Sequence, residues 1–226
     1  MSAARRGRSN RDRMRRTSQR RKLKKTWLIV CEGRETERNY LDKLKREESV
    51  KKHFAITVIR GKGGARSQIV SRAVDEKRTR ENTPNRDSPD KVVCVLDTES
   101  LQNPQARGDL AAARDSAKNA DIALYLSNPA FEVWFLAHFQ RTSRQFRDCD
   151  AVIVELTKEW NAAFGQAYDK TDDNVYKKLA SRTEEAIENA RNVVEHDHGD
   201  KRDIADCNSS TEVYRLVEKL FSGQTD

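Results

Sequence analysis

Three acidic residues follow directly on apolar runs in this chain. Glu32 ends "TWLIVCE" (26–32), and Asp97 and Glu99 lie in "VLDTES" (95–100) after a second run. A fourth, Glu132, sits in "SNPAFEVWFLAHF" (127–139) among apolar neighbours. Acids so placed repel one another and resist burial unless they share a cation. Carboxylate oxygens suit Mg²⁺ or Mn²⁺, which keep water and phosphate oxygens in the same coordination shell. The set of Glu32, Asp97, Glu99 and Glu132 predicts a divalent-cation site. Any one of these acids alone reads equally well as a helix cap or a loop residue, so the reading rests on their convergence.

The elements that must position them are legible as short runs. "TWLIVCE" (26–32), "HFAITVIRG" (53–61), "KVVCVLD" (91–97) and "DIALYLSN" (121–128) have the β-branched continuity of strands buried on both faces. Helical segments are expected at about 35–49, 65–81 and 105–119, with a polar loop at 82–90. The alternation predicts an α/β core over residues 26–140, a mainly parallel sheet covered by helices. In such sheets ligands bind at the carboxyl ends of the strands, where all these acids fall. Gly33 is expected to allow a sharp turn and a close approach. Pro129 is expected in the first turn of a helix capped by Ser127 or Asn128. Phe131, Trp134, Phe135 and His138 share one helical face, so His138 reads as a core residue. Residues 141–226 read as a helical cap with helices near 150–164 and 172–196. A last helix is expected to open on a capping-box spacing from Ser209 to Glu212.

Charge is unevenly spread. Residues 1–25 carry twelve Lys or Arg against Asp12 alone, while the whole chain has a net charge of +8. Such a run is expected to be a disordered basic arm that meets phosphate backbones with little sequence preference. "RGKGGARS" (60–67) opens a helix after the second strand, and Arg60, Lys62 and Arg66 are phosphate-binding candidates there. It is not a Walker A loop, because the Gly-Lys-Ser/Thr ending is absent. The four cysteines are widely spaced and read as reduced thiols. "EHDHGD" (195–200) offers two histidines, too few for a closed metal site. With no membrane-length apolar run and no secretory signal, the expected location is the cytoplasm, away from membranes.

"VCEGRETERNYLDKL", "VLDTES", "YLSNPAFEVWFLAHF" and "DCNSSTEVYRLVEKL", in that order, resemble the successive motifs of the RloB-like proteins, over about residues 26–221. These are a bacterial group with a Toprim-like fold from restriction and phage-defence loci. The resemblance implies a glutamate after the first strand working with a DxD motif after the third, where Mg²⁺ serves phosphodiester breakage or joining. Glu32 and Asp97 match by position, and the resemblance implies that Asp97 and Glu99 hold the metal while Glu32 is a metal ligand or the general acid/base. Glu99 stands where the pattern has aspartate, and its longer side chain shifts the geometry. Asn128, Glu132, Asn208 and Ser210 match further family positions and are expected to support the site. The implied function is a metal-dependent nuclease acting on DNA or RNA, tRNA among them, in anti-phage defence beside an ABC-type ATPase partner. The alternatives are a nucleic-acid-binding module that has lost activity and a regulatory subunit of that ATPase.

Overall fold

A computed structural model describes residues 24–33, 35–61, 64–83, 88–99, 101, 103–198 and 203–224. The expected basic arm therefore lies outside the described residues except for Lys24 and Lys25, as do residues 84–87 of the 82–90 loop. Four parallel strands of seven residues form the sheet: β1 (Lys25–Cys31), β2 (Phe54–Arg60), β3 (Lys91–Asp97) and β4 (Ile122–Asn128). Their order is β2-β1-β3-β4, and a two-residue strand, β5 (Ser210–Thr211), joins antiparallel at the edge of β4. The fold is α/β, as the run pattern predicts.

Side chains alternate between the two faces of each strand, and helices cover both. On one face Trp27, Ile29 and Cys31 pack with Tyr40, Leu41 and Leu44 of α1 (Thr36–Leu44). On the other, Leu28, Val30 and Cys94 pack with Ile69, Val70 and Ala73 of α3 (Arg66–Glu81), and with α4 (Pro104–Asn119). The helix after β1 thus lies on one face, and those after β2 and β3 on the other. The connections part between β1 and β3, which opens a crevice at the carboxyl ends of those two strands.

The expected helix at 35–49 is two pieces. Arg46 N and Glu47 N bond back only three residues, to Lys43 O and Leu44 O, and this tight turn redirects the chain into α2 (Glu48–Lys51), where Val50 is buried. The helix after β4 also starts later than the sequence suggests. α5 spans Glu132–Ala137, and Pro129 precedes it. Asn128 does not cap it, because Phe131 holds the cap position with no side-chain cap bond, and Asn128 Nδ2 donates instead to Ile204 O (2.9 Å) and Ala205 O (3.0 Å). His138, just past α5, is fully buried, with Nδ1 2.9 Å from Trp134 O, in agreement with its expected core role.

The C-terminal half adds α6 (Cys149–Phe164), α7 (Val175–Leu179), α8 (Thr183–Asn192) and α9 (Val213–Ser222) to the α1 face of the sheet. The capping box does not form. Ser209 Oγ donates to Thr142 O (3.2 Å), and Glu212 Oε2 accepts from Leu126 N (3.2 Å). Tertiary partners have recruited both residues, and Thr211 Oγ1 accepts from Val213 N instead (3.2 Å). The exchange covers an otherwise open strand edge. Cys31, Cys94 and Cys207 are buried, and none of the four cysteines is in a disulfide. Among the described residues, no helix is long and apolar enough to cross a membrane.

Candidate functional site

The crevice between β1 and β3 holds the acids. Glu32 N donates to Val95 O (3.1 Å), extending the ladder one residue past β1. Its side chain then turns to β3, where Oε2 accepts from Asp97 N (2.9 Å). Each strand end thereby fixes the other. Asp97 Oδ1 is buried and has no hydrogen-bond partner among the described residues. Burial pushes the Asp97 carboxyl well above the usual range, and the negative charges of Glu37, Glu32, Glu132 and Glu99 push the same way. Glu32 is also raised, chiefly by burial, against the opposing bond from Asp97 N. Glu99 reaches across to α6, where Oε1 accepts from Cys149 N (3.1 Å). A carboxylate at that helix start is favoured by the exposed N–H groups and the dipole.

These side chains line one cleft of about 350 Å³, together with Glu37, Glu132, Cys149 and Lys170. Glu37 is the member that the sequence reading missed. It is only 3% exposed, on α1, and Oε1 accepts from Gly33 N (2.9 Å). A Cβ on residue 33 would fall 2.0 Å from Glu37 Oε2, so glycine is what lets the carboxylate fold back against the chain. Burial, with the charges of Glu132 and Glu32 adding to it, raises the Glu37 carboxyl to about 7. The signal was available: residues 37, 40, 41 and 44 share one helical face, and the last three are apolar. Glu132, 3% exposed at the start of α5, lies 3.5 Å from Lys170 Nζ, and its Oε2 accepts from Cys149 Sγ (3.5 Å). Lys170 is the single cation lining this cleft among the described residues.

The other expected site residues lie elsewhere. Arg66 does not present itself to a phosphate. It is 9% exposed, with Nε donating to Asp97 O (2.5 Å) and Nη2 to Glu99 O (2.6 Å). Its role is to pin the backbone that carries both acids. Arg60 ends β2 opposite Cys31, outside the acidic cleft, and Lys62 lies outside the described residues. Asn208 bonds Phe146 through both Nδ2 (2.6 Å) and Oδ1 (2.8 Å), and Ser210 Oγ donates to Cys207 O. With Asn128 they fasten the C-terminal segment to the sheet and do not touch the acids.

Among the described residues no three Asp, Glu, His or Cys side chains stand together closely enough to hold a metal ion. The donor set nonetheless fits a hard cation: Glu32 and Glu99 each commit one oxygen to a backbone N–H, and Asp97 Oδ1 is buried without a partner. The His196 and His198 region does not assemble a site. Asp197, between them, accepts from Arg141 Nε at 2.9 Å.

Comparison with the curated proteins and with the solved structures finds no match. A family model described as "RloB-like protein" matches residues 27–220, from β1 into α9, and so takes in every acid of the cleft. The chain belongs to the RloB-like protein family.

Proposed function

We propose that the chain is a Toprim-type nuclease that hydrolyses phosphodiester bonds of DNA or RNA with Mg²⁺ or Mn²⁺ held by Glu32, Asp97 and Glu99. The observation that carries this reading is the convergence of seven acidic residues on one cleft at the topological switch point, one of them, Asp97, with a buried oxygen that has no partner among the described residues. Desolvated acids are costly to keep together for structure alone, and a divalent cation offsets the cost. Bound there, such a cation would polarise a phosphate oxygen and lower the pKa of a water nucleophile. Glu32, raised by burial, is suited to hold or pass a proton at Oε1 while Oε2 stays on Asp97 N. Lys170 balances Glu132 and brings a positive charge to the cleft for an incoming phosphate. The twelve cations of residues 1–25 favour a nucleic-acid substrate. The roles in anti-phage defence and beside an ABC-type ATPase rest on the family resemblance, and tRNA belongs in the substrate panel for the same reason.

A second reading, a nucleic-acid-binding or regulatory subunit without activity, is favoured by Glu99, whose Oε1 is committed to Cys149 N. One experiment separates the two. Purified protein is incubated with Mg²⁺ or Mn²⁺ and tRNA, single-stranded DNA, linear duplex or supercoiled plasmid, beside a Glu32→Gln control. Cleavage that depends on the metal and is lost in Glu32→Gln supports the nuclease. Binding without cleavage of any substrate supports the second reading.

A further inference from the structure

A second cleft, of about 380 Å³, is lined by Thr98, the residue between Asp97 and Glu99, and carries two arginines against one carboxylate, Asp206. Thr98, Arg107, Asn128, Gln145, Arg147 and Asn208 are among its lining residues. Its size falls in the range of small-ligand pockets, about 300–1,000 Å³. Arg107 is held in place, with Nε donating to Leu101 O (2.8 Å) and Nη2 to Asp206 Oδ1 (3.2 Å). Arg147 bonds Asp148 through Nε (2.7 Å), and its side chain is otherwise 88% exposed. With its Nδ2 committed to two carbonyls, Asn128 keeps Oδ1 as an acceptor. Thr98 is 2% exposed, and its hydroxyl is buried with no partner among the described residues, a donor and acceptor left unmet. That residue stands between two acids of the neighbouring cleft, and Thr98 N donates to Ser127 O (2.8 Å).

We propose that this cleft binds one nucleotide, the neighbour of the scissile phosphate in a strand held at the acidic cleft, a placement that rests on the nuclease reading above. Guanidinium groups match phosphate in fork geometry, which assigns Arg107 and Arg147 to the nucleotide's phosphate. A bare phosphate would leave most of the volume and the amides unused. Gln145 and the Asn128 carbonyl are the kinds of group that read base edges in unpaired strands. The two clefts differ in sign because they meet different parts of one ligand. The acids need a cation before they can meet phosphate, whereas the arginines meet it directly.

The test uses the full chain and two probes, a nucleoside 5′-monophosphate and inorganic phosphate, titrated calorimetrically into wild type, Arg147→Gln, Arg107→Gln/Arg147→Gln and Thr98→Val. The monophosphate should bind wild type and bind the double variant at least about tenfold more weakly, as expected for lost charge-assisted hydrogen bonds. Arg147→Gln, a change at an exposed side chain, should weaken it about threefold without altering the melting temperature, which keeps the test valid if the double variant folds poorly. Thr98→Val should also weaken it. A single-stranded oligonucleotide should compete with the monophosphate. Equal monophosphate affinity in wild type and Arg147→Gln, or phosphate binding as tightly as the nucleotide, overturns the nucleotide site. Absence of competition overturns its placement beside the scissile strand. Retained binding and competition in a protein that cleaves no member of the substrate panel overturns the nuclease reading and leaves the nucleotide site standing.

Discussion

Helix α5 carries one buried ionisable group at its start and meets another just past its end, and the two are treated differently. His138 sits in an aromatic core, its ring centroid 4.8 Å from that of Trp134 and 6.3 Å from that of Tyr40. Burial holds its pKa down to about 4, so it is neutral at pH 7. Glu132, six residues earlier, opens on a cleft lined by six other acidic residues. α1 repeats the division, with Glu37 in the cleft and Tyr40, Leu41 and Leu44 in the core. An isolated ionisable group can be buried by making it neutral. Seven acids in one cleft, with a single lysine among them, call for something from outside the chain. Substitutions in the core should therefore cost stability, and those in the cleft should cost function.

The sharpest break in that division would come from Asp97→Asn. It should lower cleavage by about 10³-fold or more, the loss of several kcal/mol of transition-state stabilisation at a metal. The apo protein should be as stable as wild type or slightly more so, because one buried, repelled charge is gone. Single-turnover cleavage and thermal unfolding with and without Mn²⁺ measure both. A variant that still cleaves, or whose melting rises with Mn²⁺ as wild type does, removes Asp97 from the site.

Trp134→Ala probes the core side and should destabilise by about 3–5 kcal/mol. Denaturant unfolding reads it directly, and an unchanged midpoint would mean that the helix does not carry the core.

The two regions should also answer pH in opposite senses. The folded pKa of Glu37, about 7, lies above its ordinary 4.5, so its contribution to stability is complete below about pH 4.5 and lost as pH rises through 7. For His138 the folded value of about 4 lies below the ordinary 6.5, so its contribution is present above pH 6.5 and lost as pH falls through 4. Glu37→Gln should flatten the decline between pH 5 and 8 by about 2 kcal/mol in the absence of divalent cations. Unfolding curves across that range in EDTA check this, and parallel curves for wild type and Glu37→Gln would contradict it.

Gly33→Ala should have the smallest effect. The added methyl would fall on the Glu37 carboxylate, which must swing away and lose its bond from Gly33 N. A loss of about 1 kcal/mol, read as a fall of about 2–4 °C in Tm, is expected. No shift would show that the carboxylate moves freely.

The sequence by itself determined the α/β class, the four parallel strands and the placing of Glu32, Asp97 and Glu99 at strand ends. Such features rest on local patterns: continuous apolar runs, helical periodicity and polarity changes within a few residues. It also determined that Trp134 and His138 belong to a buried helical face. Tertiary structure alone decided what each polar side chain bonds. Arg66 looked free to meet a phosphate, but folding brings it to the carbonyls of Asp97 and Glu99. Ser209 and Glu212 had capping-box spacing, yet Thr142 and the β4 edge took them. Glu37 showed the right helical phase, but only the neighbouring strand ends make its position acidic rather than apolar. Hydrogen-bond partners tens of residues away in the chain leave no local periodicity, because a polar side chain is satisfied by whatever donor or acceptor the fold delivers.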